Sequence, residues 1–128
     1  MRLLLDTHTF VWFIEGNSSL SPRARLLIEN KSNQLFLSVA SLWEMAIKFS
    51  LGKLYLGQPF DTLVPQQLHA NTIDLLGIEW DHIIKVAALP FHHRDPFDRM
   101  LIAQALTERL PIISIDATLD AYGIIRLW

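Results

Sequence analysis

Asp6, Glu44, Asp98 and Asp116 are the side chains of this sequence best suited to do chemistry together. Asp6 ends the apolar run Arg-Leu-Leu-Leu, and Asp116 ends Ile-Ile-Ser-Ile. Each acid also has a purely structural reading. Asp6 and Asp116 fall where strand passes to helix, so either serves as an N-cap worth about 1 kcal/mol. Asp95 directly precedes Pro96 and fits the cap of the next helix better than any other residue. Asp98 then lies at the third helical position, where a negative charge favours the helix dipole. Glu44 is the only acid in Ala40–Ile47, and an exposed pair with Lys48 at i,i+4 would contribute ~0.3–0.5 kcal/mol.

The joint pattern adds what no single acid carries. Where such residues meet at one edge of a fold, two carboxylates ~4 Å apart repel by about 4 kcal/mol at an effective dielectric near 20. A cluster of that kind must trap protons or bind a cation. Oxygen ligands, in a chain without cysteine, favour Mg²⁺ or Mn²⁺ over zinc. None of the five histidines has a partner at His-x-His or i,i+4 spacing, so a zinc site is not expected. His69 and His82 read as surface residues of helices. His92-His93 reads as a turn that shapes its loop or meets a phosphate, and His8 is near enough to Asp6 to face the same site.

The elements that must position these acids alternate along the chain. Strands are expected at Arg2–Leu5, Leu35–Leu37, weakly at Ile73–Leu76, at Ile112–Ile115 and at Ile125–Leu127. The first helix carries Phe10, Val11, Phe13 and Ile14 and stops at Gly16-Asn17. Ser21-Pro22 starts a second helix that ends near Glu29. A third starts at Ser38 or Ser41, holds Glu44 and ends near Gly52. Further helices are expected at Phe60–His69, Asp81–Leu89 and, most clearly, Pro96–Arg109. This order defines an α/β fold with a parallel sheet flanked by helices, whose ligand site lies beyond the carboxyl ends of the strands.

At 128 residues the chain fits one domain, residues 1–128, with a core of its own. No apolar run reaches the ~18 residues of a membrane span, and Asp6 interrupts the opening leucines too early for a signal peptide. The expectation is a soluble, cytoplasmic protein with no membrane contact. A 51% hydrophobic content is high for so small a domain and favours an interface, such as a homodimer. The net charge of −2 offers nucleic acid no bulk attraction, so any such binding must use a local patch.

Four segments, read in order, resemble the PIN-domain nucleases and most of all the VapC-type toxins of toxin–antitoxin pairs. They are Leu-Leu-Asp6-Thr-His-Thr-Phe-Val-Trp, Ser-Leu-Trp-Glu44-Met-Ala, His-Arg-Asp95-Pro-Phe-Asp98-Arg-Met-Leu-Ile-Ala-Gln-Ala and Ile-Ser-Ile-Asp116. The resemblance spans essentially the whole chain. It implies an α/β/α sandwich, RNA phosphodiester hydrolysis and an antitoxin partner whose segment covers the acidic site. It also implies Mg²⁺ (or Mn²⁺) held by Asp6, Glu44, Asp98 and Asp116, with Asp95 as an additional candidate ligand. Thr7 and Ser114 match small hydroxyls beside the acids and are candidate substrate contacts, and Arg94, Arg99 and Lys48 flank the acids as candidate phosphate contacts. A haloacid-dehalogenase-type phosphatase also puts an aspartate after its first strand, but needs a second acid where this chain has His8. A receiver-like binding module would need a lysine after the late strand, and none follows Asp116. A non-catalytic PIN-fold binding module is the third alternative.

Overall fold

A computed structural model describes residues 1–128. In chain order it contains β1 (Arg2–Leu5), α1 (Thr7–Glu15), α2 (Pro22–Glu29), β2 (Gln34–Ser38), α3 (Val39–Ser50) and α4 (Phe60–Ala70). Then follow β3 (Ile73–Leu76), α5 (Trp80–Ala88), α6 (Pro96–Glu108), β4 (Ile112–Ile113), a 3-10 helix (Ala117–Tyr122) and β5 (Arg126–Leu127). All strand pairings are parallel, in the order β3-β2-β1-β4-β5. The chain builds outward from β1 to β2 and β3, then crosses to β4 on the other side. The order therefore reverses between β1 and β4, and the region beyond their carboxyl ends is where open α/β sheets bind their ligands.

The alternation of side chains along a strand divides the apolar residues into two layers. Leu3 and Leu5 of β1, Leu35 and Leu37 of β2 and Ile113 of β4 face one cluster, which Phe10, Ala24, Ile28, Met45 and Val64 complete. Leu4, Phe36 and Ile112 face the other, against Leu101, Ile102 and Ala105 of α6. Helices therefore cover both faces, which is why the strand sequences read as unbroken apolar runs. Each fully buried Leu or Ile contributes roughly 1.5–3 kcal/mol relative to exposure, and both layers converge on β1 and β4.

Local signals fix the helix starts. Ser21 accepts the Ala24 amide ahead of Pro22, and Asp95 accepts the Phe97 and Asp98 amides ahead of Pro96. Asp6 and Asp116 are caps as well, bonded to the amides of Thr7 and Thr118.

Two expectations need correction. The strand expected over Ile112–Ile115 ends at Ile113. The Ser114 hydroxyl is drawn into side-chain bonds with Asp6 and the Asp116 amide, and Ile115 turns outward, 49% exposed. Asp116 therefore follows a turn rather than the strand itself. His82 is not a surface residue: it is fully buried. Its Nδ1 accepts the Glu79 amide (3.0 Å) and its Nε2 meets Glu108 Oε1 (2.8 Å), which joins the start of α5 to the end of α6.

Replacing His82 with Leu should remove both bonds while keeping most of the buried volume. We expect a loss of about 2 kcal/mol in urea unfolding. An unchanged midpoint would show that the His82 bonds contribute nothing to the α5–α6 contact.

Candidate active site

Asp6 leaves β1 at the switch point, where its amide donates to Ile113 O (3.1 Å) and the Thr9 hydroxyl donates to the same carbonyl (2.8 Å). These bonds stitch β1, α1 and β4 together where the acids emerge. The Asp6 carboxylate is 6% exposed. Its Oδ1 accepts the Thr7 amide (2.7 Å) and its Oδ2 accepts the Ser114 hydroxyl (2.6 Å). Ser114 Oγ in turn accepts the Asp116 amide (3.0 Å), so one hydroxyl links the Asp6 carboxylate to the backbone of Asp116. Each Asp6 oxygen retains a second lone pair for another partner.

Glu44 comes from α3. The Thr7 hydroxyl donates to Ser41 Oγ at 2.8 Å, one helical turn before Glu44, and so ties α3 to the residue after Asp6. Glu44 Oε2 accepts Lys48 Nζ at 3.0 Å, the i,i+4 pair expected from sequence. Glu44 Oε1 is buried and has no partner at all, although a buried carboxylate oxygen costs on the order of 1–3 kcal/mol when left unsatisfied.

Asp98 and Asp116 approach each other from α6 and the 3-10 helix. Between them stands His93, whose Nε2 is 3.2 Å from Asp98 Oδ2 and 3.2 Å from Asp116 Oδ2. Ligand atoms of these three residues all lie within 4.8 Å of one another. Asp6 and Glu44 are not in that group, but their charges both reach Asp98. Asp95 is outside it too, with Oδ1 committed to two amides of α6 (2.9 and 3.0 Å).

The electrostatics follow from this crowding. Burial pushes the Asp98 carboxyl up to about 7, and the charges of Asp6 and Asp95 add to the effect. Burial also raises Asp6, against the opposing pull of the Ser114 hydrogen bond and of His8. Asp116 is held below the usual carboxylate range. Its partial burial works the other way, but bonds from the Thr118 hydroxyl and amide and from His93 outweigh it.

Three residues expected to meet substrate do not reach the surface. Thr7 and Ser114 are buried with hydroxyls committed to Ser41 and Asp6; they position acids instead. Arg99 is buried as well, and its guanidinium donates to the carbonyls of Val86, Leu89, Pro90 and His93 (2.9–3.3 Å). It also lies 4.0 Å above the Phe91 ring. With four of its five N–H groups spent on carbonyls and the side chain buried, it is poorly placed to meet a phosphate. Arg94 is exposed, and Lys48 is half-buried against Glu44.

His93 is the residue that sequence spacing missed. It is five residues before Asp98 and far from Asp116 along the chain, outside any local ligand pattern. Its place two residues before the cap Asp95 was the available signal.

The residues fit a divalent cation. Glu44 Oε1 is an orphaned buried acceptor, Asp98 Oδ1 has no hydrogen-bond partner, and hard oxygen donors suit Mg²⁺ or Mn²⁺.

A family model of the PIN domain matches residues 3–125. The chain belongs to the PIN domain family, and the rival phosphatase and receiver folds fall away. Among individual relatives, Ribonuclease VapC16 of Mycobacterium tuberculosis is 33% identical over 58 residues, an alignment covering 45% of this chain and 41% of that protein. The chain thus matches about two fifths of that relative's length. Among solved structures, VapBC2 from Rickettsia felis bound to a promoter DNA fragment aligns with a TM-score of 0.73 at 14% identity, covering 99% of this chain and 98% of the other. VapBC-1 from nontypeable Haemophilus influenzae aligns at 0.66 and 13% identity, covering 99% and 97%. At these identities the structural likeness establishes the shared fold.

The raised Asp98 pKa has a sign that can be tested. A carboxyl raised from 3.8 to about 7 binds its proton more tightly when folded than when unfolded. Its contribution is full below the unfolded value and is lost as pH rises towards 7. Asp98→Asn mimics the protonated form at every pH. With chelator present, it should match the parent near pH 4 and exceed it by up to about 4 kcal/mol at pH 8 in urea unfolding. Equal stability at pH 8 would contradict the crowded geometry.

Proposed function

We propose that this chain is a divalent-cation-dependent endoribonuclease, the toxin of a toxin–antitoxin pair. The observation that carries this reading is the set of four acids at the β1/β4 switch point, with a buried, unpartnered Glu44 oxygen among them. Asp6, Glu44, Asp98 and Asp116 are the residues that would hold the cation, with Mg²⁺ first and Mn²⁺ second. Asp95, committed to its cap, serves the site by orienting α6.

A bound cation of this type lowers the pKa of its water and neutralises charge developing on a phosphodiester. The chain supplies the arrangement. Ser114 and the Thr7 amide hold both Asp6 oxygens in place, and the Thr7–Ser41 bond aims Glu44 at them. Asp98, raised to about 7 by burial and by its acidic neighbours, would give up its proton on holding the cation. Arg94, exposed beside the cap of α6, is the cation free to meet a flanking phosphate, and Lys48 can do so only by loosening its pair with Glu44. No side-chain nucleophile is needed.

RNA is the proposed substrate. A protein antitoxin is the proposed partner, a reading supported by the VapBC assemblies among the structural neighbours. The exposed Trp43, Phe49, Leu51 and Tyr55 on and after α3 offer apolar surface for that partner or for a second copy of the chain. No helix is long and apolar enough to cross a membrane, and the cytoplasm is the proposed place of action.

The test is cleavage of a single-stranded RNA by the purified chain with Mg²⁺ or Mn²⁺. Chelator should abolish cleavage, and Asp6→Asn should reduce it at least about 100-fold while leaving the fold intact by circular dichroism. Undiminished cleavage in either case would overturn the cation mechanism. A folded chain that binds Mn²⁺ and cuts no RNA would point to a binding module instead.

A further inference from the structure

Every polar group of His93 is engaged. Its amide donates to Tyr122 Oη (2.8 Å) and its carbonyl accepts Arg99 (3.3 Å). Its Nδ1 accepts the Asp95 amide (3.2 Å), and its Nε2 faces Asp98 and Asp116. Tyr122 also donates to Pro90 O (2.8 Å), which Arg99 shares, so the loop before α6 is held from both sides.

We propose that His93 is a positioning residue of the cation site: its Nε2–H holds Asp98 and Asp116 together, and it does not itself ligate the cation. A backbone amide can only donate, so Nδ1 must be the bare nitrogen and Nε2 must carry the hydrogen. That hydrogen points at two carboxylate oxygens that would otherwise repel each other. To ligate through Nε2 the ring would have to move its proton to Nδ1, where it would collide with the Asp95 N–H. The Asp95 cap holds that amide in place. A trio of one histidine and two carboxylates, which by residue type alone would suit zinc, thus presents oxygen donors only. The assignment rests on the reading of the acids as a cation site, and it adds a residue that selects for hard cations.

Two variants separate positioning from ligation. His93→Gln keeps an N–H near Nε2 but has no imidazole nitrogen, and His93→Ala keeps neither. Mn²⁺ and Zn²⁺ binding would be measured by calorimetry, and the ring tautomer of the cation-free parent by long-range ¹H–¹⁵N correlation. We expect the Nε2–H tautomer, a 10- to 100-fold loss of Mn²⁺ affinity in His93→Ala, and affinity within about threefold of the parent in His93→Gln. A Gln variant that loses Zn²⁺ binding as fully as the Ala variant, or an Nδ1–H tautomer, would overturn the proposal. So would an Ala variant that binds Mn²⁺ like the parent. If the parent binds no divalent cation, the functional reading fails together with this one; if His93→Ala does not fold, the tautomer and His93→Gln still decide.

Discussion

Like-charge repulsion among carboxylates withdrawn from water is the constraint around which this molecule is arranged. Asp6 is almost fully buried, Glu44 has one oxygen sealed away without a partner, and both press on Asp98. In a cation-free chain that repulsion can be relieved only by protons or by hydrogen-bond donors aimed at the acids. Both are present: Asp98 is driven to hold a proton near neutrality, while Ser114, the Thr7 amide, Lys48 and His93 supply donors.

The scaffold makes such crowding sustainable. Two apolar layers converge on β1 and β4, so the strands that lead to Asp6 and towards Asp116 are anchored on both faces. Around them, several polar contacts join one element to another. Thr9 and Asp6 share the Ile113 carbonyl, Thr7 reaches α3, and Arg99 gathers four carbonyls from α5 and the loop before α6. Arg99 is an enclosed cation whose partners are carbonyl dipoles, a costly placement that fixes the loop bearing His93. Stability near the site is thus exchanged for a preset arrangement of acceptors.

Much of this was legible in the sequence because it depends on local physics. Ser21-Pro22 and Asp95-Pro96 announce helix starts wherever they occur, and the runs Leu3–Leu5 and Ile112–Ile113 announce strands covered on both faces. The strand-end rule then locates Asp6 and the neighbourhood of Asp116. What escaped depends on contacts between distant segments. His82 caps the start of its own helix, but nothing there signals that Glu108 of α6 will meet its other nitrogen. Arg99 did leave a trace: Ile102 and Ala103, its i+3 and i+4 neighbours, are core residues, so the charge falls on a buried stripe of α6. Polarity overruled periodicity in that reading. Glu44 carried two meanings, and the structure keeps both, since one oxygen pairs with Lys48 and the other has no partner.

The central claim is that four separate acids form one centre for a hard cation. The most direct measurement is an anomalous difference map from crystals soaked in Mn²⁺. A single strong peak within about 2.5 Å of oxygens from Asp98, Asp116 and at least one of Asp6 and Glu44, with His93 Nε2 hydrogen-bonded to a carboxylate rather than to the metal, is the expected result. No peak at these acids, or a peak bound through His93 with Asp6 and Glu44 uninvolved, would contradict it.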